Sequence, residues 1–378
     1  MKKLILHCGL HKTGTSTLQK FLYKNKDEML IKGFDIFDEY PNGDVRFGNL
    51  SAWVDHSSII SSDNKTKSKV KDTLYKALKA RAKKNKTIIF SSEALAWILD
   101  EENIDVLSKK LKEVFDVVKI VFYIRRQDRF AVSHYGQRTK NYSFEKFFYK
   151  GSNTALPTLD DNSLAYLNFN QRYDFYSKFF GESHVVFRVF DKNTLFEGDI
   201  SQDFLKLIGV QLSSFIEVES INQASNFLQQ RVNGYLCDSG VHDNSVATMI
   251  ANKLTSDRIL IPSRVEAQKF LRVFEDSNYN LALSLGIESG ELFDKSFDMY
   301  PKTLDLDYNN TDFEMLLDAL SVNLDKEIYL NNETFSQILK IAKNIRNTNP
   351  KDSLTLLLIL KKFRPDGIVL NKILEGYE

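Results

Sequence analysis

Short apolar runs and longer amphipathic stretches alternate through the first half of the chain. K-L-I-L-H-C at 3–8 is an apolar run that stops at Gly9, as a buried strand does. The stretch 16–30 puts Leu18, Phe21, Leu22 and Met29 on or near one face and predicts a helix. Residues 41–66, rich in Ser, Asn, Asp and Gly, predict mostly loop. Over 67–85, Val70, Leu74, Ala77, Leu78 and Arg81 recur at helical spacing among many lysines, which predicts a helix with a solvated basic face. T-I-I-F (87–90), V-K-I-V-F-Y-I (118–124) and H-V-V-F-R-V-F (184–190) predict further buried strands, with a helix at 102–116 between the first two. From about residue 222 the pattern is helical, over 222–237, 245–256, 263–285, 311–322, 333–346, 351–362 and 366–376. Pro301, Pro350 and Pro365 punctuate it.

Strands alternating with helices predict an α/β fold of three layers, a central parallel sheet between helices. The expected division is an α/β domain over 1–290 and a helical C-terminal extension over 291–378. Ligands in such sheets bind at the carboxyl ends of the strands. That directs attention to 9–17, 91–93, 125–133 and the end of the fourth strand. A hydrophobic fraction of 43% and a charged fraction of 27% over 378 residues are ordinary for a globular protein. The net charge of +1 gives no general field for nucleic acid or an anionic membrane, so an anion site must be built locally. Cys8 and Cys237 are too far apart in the chain to suggest a disulfide framework or a metal site. The opening M-K-K-L-I-L-H-C-G has too short an apolar run for a signal peptide. No stretch approaches the roughly eighteen apolar residues of a membrane span. The expectation is a soluble, cytoplasmic protein; its oligomeric state is left open.

Residues 9–16 read G-L-H-K-T-G-T-S, nearly the phosphate-cradling pattern of two glycines followed by Lys and Ser or Thr. The lysine is displaced: Thr15 stands in its place, and Lys12 comes two residues before Gly14. A strand, a glycine turn and a helix N-terminus still make an anion site, from backbone N–H groups and the helix dipole. Gly9 and Gly14 allow close approach, and Thr15, Ser16 and Thr17 add hydroxyls. A second cluster, Y-I-R-R-Q-D-R-F-A-V-S-H-Y (123–135), brings Arg125 out of a strand and places Ser133 in the following helix. Guanidinium and hydroxyl together suit a second phosphate.

With both clusters in view, the chain resembles the sulfotransferases that use PAPS, adenosine 3′-phosphate 5′-phosphosulfate. G-L-H-K-T-G-T-S-T-L is similar to their 5′-phosphosulfate loop and Y-I-R-R-Q-D-R-F-A-V-S-H-Y to their 3′-phosphate motif, in the same order. Weaker similarity runs through 187–209 and I-N-Q-A-S-N (221–226), so the resemblance covers roughly 1–285. It implies a P-loop-like fold, with Leu10, His11, Lys12, Thr13, Gly14, Thr15, Ser16, Thr17, Arg125 and Ser133 holding PAPS and the product adenosine 3′,5′-bisphosphate. Gln127 departs from it, since many relatives have Pro there, and Arg126 adds a second cation.

The resemblance gives Lys12 a reason to move. A lysine early in the loop can neutralise charge on the bridging oxygen as the S–O bond breaks. No metal is implied; the nearest candidate for a metal-binding Asp is Asp191, after a run interrupted by Arg188. The family's catalytic base commonly occupies the strand end between the two motifs, which here is S-S-E, and so Glu93. Glu93 could equally begin a helix that Ser92 caps. His11 is the other candidate base. His7 reads as packed, and His134 as pointing elsewhere. Resemblance to bacterial carbohydrate and surface-polysaccharide branches suggests a sugar acceptor, with Trp53, Trp97 and Tyr142 available to stack on it. A kinase using ATP and Mg²⁺, or a non-catalytic nucleotide-binding protein, are the alternatives.

Overall fold

The computed structural model describes residues 1–39, 53–55, 69–83, 86–135, 149, 154–212, 214–218, 226–230, 259–303, 332–347, 350–363 and 367–377. Most of the expected loop at 41–66 and of the expected helix at 222–237, the expected helices at 245–256 and 311–322, residues 221–225 and Tyr142 lie outside them. The chain forms two compact units. One comprises Met1–His134, Leu156–Gln223 and Pro262–Lys302; the other comprises Tyr135–Ala155, Ala224–Ile261 and Thr303–Glu378.

The sheet of the first unit has five parallel strands: β1 (Lys3–His7), β2 (Phe34–Ile36), β3 (Thr87–Ser91), β4 (Val117–Ile124) and β5 (Val185–Val189). Their order is β2–β3–β1–β4–β5, so β1 lies at the centre and the chain leaves it to both sides. The helices are α1 (Thr15–Lys24), α2 (Lys26–Ile31), α3 (Asp72–Arg81), α4 (Glu101–Lys112), α5 (Gln127–Tyr135), α6 (Asp161–Leu167) and α7 (Phe169–Phe180). Then follow α8 (Ile200–Ile208), α9 (Arg264–Arg272) and α10 (Glu275–Ser284). The result is a three-layer α/β fold with a P-loop-like strand–loop–helix at its centre.

A parallel sheet must be covered on both faces, and alternation along each strand divides its apolar residues between them. Ile5, Ile89, Val121 and Tyr123 form one cluster with Leu18, Phe21 and Leu22 of α1 and Ile200, Phe204 and Leu205 of α8. On the other face, Tyr176 of α7 meets Phe122 edge-on at 5.0 Å and Tyr173 meets Phe187 at 5.6 Å.

Three of the expected helices are divided or start late. The stretch 16–30 is broken at Asn25, whose side chain donates to Phe21 O at 2.9 Å and to Ile216 O at 3.1 Å and accepts from Ile216 N at 2.7 Å. Those side-chain bonds compete with helix continuation. The stretch 67–85 is a helix only from Asp72, because Lys69–Val70 pairs antiparallel with Val54–Asp55. The stretch 263–285 divides into α9 and α10 at Val273 and Phe274. Two helices, α6 and α7, occupy 161–180, which the sequence reading leaves unassigned, although Phe169, Tyr173, Tyr176 and Phe180 recur there at helical spacing.

The second unit includes the helices α11 (Asn332–Ile345), α12 (Pro350–Phe363) and α13 (Ile368–Glu375). They enclose a small core of Phe335, Ala342, Leu357, Leu360 and Leu370. Ser353 Oγ donates to Ala342 O at 2.6 Å inside it.

Candidate active site

The chain leaves β1 at His7 and turns through 8–14 into α1. Backbone bonds hold this loop on two sides. Cys8 N donates to Val121 O at 2.9 Å, Leu10 N to Tyr123 O at 2.8 Å, and Tyr123 N back to Gly9 O at 2.7 Å. On the β3 side, Ser92 N donates to His7 O at 3.0 Å. Leu10 O accepts from Thr13 Oγ1 at 2.6 Å and Thr15 Oγ1 at 3.2 Å, so both hydroxyl protons shape the loop itself. Ser16 is exposed and Thr17 buried.

Gly14 has φ +75°, and a Cβ there would stand 2.9 Å from Phe190 Cε2 and 3.2 Å from Ile200 Cδ1. Only glycine fits. As the N-cap residue it supplies no side-chain cap, and the first turn of α1 holds no acidic residue. The N–H groups that a helix start leaves without intrahelical partners, and the positive end of the dipole, are thus left for an anion. Lys12 takes a positive φ of 61°, uncommon for a residue with a side chain.

Three arginines stand at the junction of β4 and α5, and the structure uses them differently. Arg126 is buried and forks onto Asp128 with two bonds of 2.8 Å, while its Nη1 donates to Asp294 O at 2.6 Å. Tyr300 Oη completes the shell of Asp128 at 2.8 Å. Arg129 donates to Asp294 at 2.6 and 2.7 Å and to Asp191 at 3.2 Å. Gln127 exchanges amide bonds of 2.7 and 3.0 Å with Asn278. The extra cation and the glutamine therefore fasten α5 to α10 and to the 291–300 segment.

Arg125 is the exception. Among the described residues its guanidinium has no carboxylate in ion-pair range, and its Nη1 donates to Lys12 O at 3.4 Å. Burial and, next, the charge of Arg129 push its pKa down. Its charge is thus held under electrostatic stress beside the loop. Ser133 lies within α5 and is half-buried.

Glu93 opens a short 3₁₀ helix, Glu93–Trp97, and Ser92 makes no side-chain cap to it. The structure brings Glu93 to the loop: a Cβ on Gly9 would lie 3.5 Å from Glu93 Cα and 3.7 Å from its Cγ. His11, also in the loop, points into an aromatic cluster. Its Nδ1 is 2.7 Å from Tyr166 Oη, and its ring centroid is 5.6 Å from that of Trp97 and 5.7 Å from that of His134. His134 stacks on Phe130 at 5.0 Å. Burial, then the charges of His11 and Lys12, push the His134 pKa well down. Neither Tyr166 nor His134 carries a local sequence signal for this cluster, because α6 and α5 are brought to the loop by the fold.

Other candidates lie apart from this edge or are otherwise engaged. Asp191 accepts from Asn193 N at 3.0 Å as well as from Arg129. Among the described residues no group of three or more His, Cys, Asp or Glu could hold a metal ion. Trp53 is buried and donates its indole N–H to Glu39 O at 2.8 Å; Trp97 is buried against Tyr166 at 4.3 Å. Neither indole presents a face for a sugar. No helix among the described residues is long and apolar enough to cross a membrane.

No protein-family model matches the chain. It is 28% identical over 155 residues to an uncharacterized protein of Archaeoglobus fulgidus, a match that spans 39% of this chain and 38% of the relative's length. A solved sulfotransferase from Alicyclobacillus acidocaldarius aligns with 61% of this chain and 90% of its own, at 14% identity and a TM-score of 0.35.

Proposed function

We propose that this chain is a PAPS-dependent sulfotransferase acting on a hydroxyl or amine of an acceptor. One observation carries the reading. Arg125 is a half-buried cation, its pKa lowered by partial desolvation, with no carboxylate in ion-pair range among the described residues, and it touches the very loop that offers a helix N-terminus to an anion. A fork of donors held in this way suits a phosphate. Arg125 and Ser133 would take the 3′-phosphate, and residues 10–17 the 5′-phosphosulfate.

PAPS, when bound, supplies a sulfuryl group attached to a phosphate leaving group. Lys12 neutralises the charge that stays on the phosphate oxygen as the S–O bond breaks. Glu93 accepts the acceptor's proton while the acceptor's heteroatom forms its bond to sulfur, so no positive charge builds up on that heteroatom and the product is the anionic sulfate. Its place at Gly9 favours Glu93 over His11, whose ring is buried and whose Nδ1 is engaged by Tyr166. The acceptor is a carbohydrate in this proposal, on the family resemblance alone, and the setting is the cytoplasm. The chemistry is assigned to residues 1–290.

Calorimetry tests the donor site. Adenosine 3′,5′-bisphosphate should bind more tightly than adenosine 5′-phosphate by about 1.5–3 kcal/mol, the strength of a charge-assisted hydrogen bond. Arg125→Ala should erase most of that difference. Labelled PAPS and a carbohydrate panel should yield a sulfated product. Equal nucleotide affinities, or ATP turnover that requires Mg²⁺, would overturn the reading. Tight binding without any product would make the protein a nucleotide binder.

A further inference from the structure

β1 and β3 run in register, so His7 and Ser91 end adjacent strands side by side. His7 Nδ1 lies 2.7 Å from Ser91 Oγ. Gln19, on α1, donates its Nε2 to Ser91 O at 3.2 Å and to Ser91 Oγ at 3.3 Å. All three side chains are buried.

Two hydrogen-bond schemes are open, and their bookkeeping differs. If Ser91 gives its proton to His7 Nδ1, then Gln19 fills the hydroxyl's acceptor site and only the His7 Nε2–H lacks a conventional partner. The His7 ring lies among rings met edge-on, Tyr123 at 5.7 Å and Phe204 at 5.9 Å between centroids, an aromatic setting that suits an N–H···π contact. If instead His7 donates to Ser91, both the hydroxyl proton and the bare ring nitrogen are left unsatisfied. The first scheme wins, and it makes His7 a neutral Nε2–H imidazole. Burial agrees, pulling its pKa down to about 3.

We propose that His7, Ser91 and Gln19 are positioning residues that set the separation between the phosphate loop and Glu93. His7 comes two residues before Gly9, Ser91 comes two residues before Glu93, and Gln19 belongs to the helix into which the loop runs. Their bonds thus tie the loop's entry, its exit helix and the strand that leads to Glu93 at one buried point. The ladder between β1 and β3 ends at His7 and Ser91 with one further backbone bond, Ser92 N to His7 O at 3.0 Å, and the side-chain bonds reinforce the register at that end. The inference rests on the reading of Glu93 as the base.

Ser91→Ala, Ser91→Thr and Gln19→Met test it. Ser91→Ala should lower kcat about tenfold or more, because small misplacements are costly in catalysis, while the affinity for adenosine 3′,5′-bisphosphate is retained. Ser91→Thr keeps the hydroxyl and should restore most of kcat. Gln19→Met keeps side-chain length and removes the amide with its donor to Ser91, so it serves, with the same expected loss of kcat, if Ser91→Ala fails to fold. Two measurements stand apart from activity. Ring ¹⁵N shifts should report His7 as the Nε2–H tautomer throughout about pH 5–8. The Glu93 carboxyl ¹³C resonance should move in Ser91→Ala and return in Ser91→Thr. A wild-type protein that transfers no sulfuryl group sinks the proposed function, and the Glu93 resonance still decides the positioning role. Equal losses of kcat and nucleotide affinity, no rescue by threonine, an unmoved Glu93 resonance or an Nδ1–H tautomer would each overturn it.

Discussion

At the loop between β1 and α1 the chain offers its candidate ligand backbone, neutral groups and a single cation, Lys12. Gly14 opens the helix start, Thr13 and Thr15 spend their protons on Leu10 O, and beneath them lies a neutral His7. At the start of α5 the chain uses charge instead, three arginines within 125–129. Two of these hold the architecture: Arg126 through Asp128 and Asp294, Arg129 through Asp294 and Asp191. Arg125 alone of the three has no carboxylate among the described residues, and it is the one that reaches the loop. A buried ion is tolerated when its partners are built in. Leaving one without a partner costs free energy, which a bound anion can offset. Counting cations in the sequence therefore overstates the ligand-binding charge at this edge.

The two regions should come apart under mutation. Glu93→Gln, beside the loop, should cut sulfuryl transfer by about 10²–10⁴-fold, the usual worth of a positioned base. Its unfolding midpoint should barely move. Near-normal turnover would transfer the role to His11. Arg126→Ala should do the opposite and lose about 3–5 kcal/mol of stability in urea titrations, because Asp128 is then buried without its cation. Arg126→Lys should recover little, having no fork to match the carboxylate. A loss within a few tenths of a kcal/mol would show that this pair is not structural. Arg125→Ala, whose effect on nucleotide binding is given above, should leave stability unchanged or raised.

The effect that is smallest per unit change concerns pH. His7, lowered by burial from 6.5 to about 3, and His134, also lowered, are neutral in the fold. The unfolded chain takes up those protons below about pH 6.5, so their contribution to stability is complete above that value and declines as pH falls toward 3. Each histidine should contribute a slope of about 1.4 kcal/mol per pH unit at most. His7→Asn should flatten the pH dependence by that share in urea titrations below pH 6.5. An unaltered slope would place the buried ring's proton uptake elsewhere.

The amino-acid sequence determined the strand–loop–helix at the centre of the sheet, because its signals are local: an apolar run, two glycines and a helical repeat within 3–24. The parallel α/β class followed from alternation that each segment carries by itself. What it left undecided depends on distant partners. The helix break at Asn25 needs Ile216, which is 191 residues away. The fates of Arg125 and Arg126 are indistinguishable in Y-I-R-R-Q, since one turns on Lys12, 113 residues distant, and the other on Asp294, 168 residues distant. The approach of Glu93 to Gly9 likewise comes from the register of β1 with β3. Periodicity reports which face of an element is buried. Which charge finds a counter-charge there is settled only when the elements pack, because the strength of such a pairing depends on distance and local dielectric.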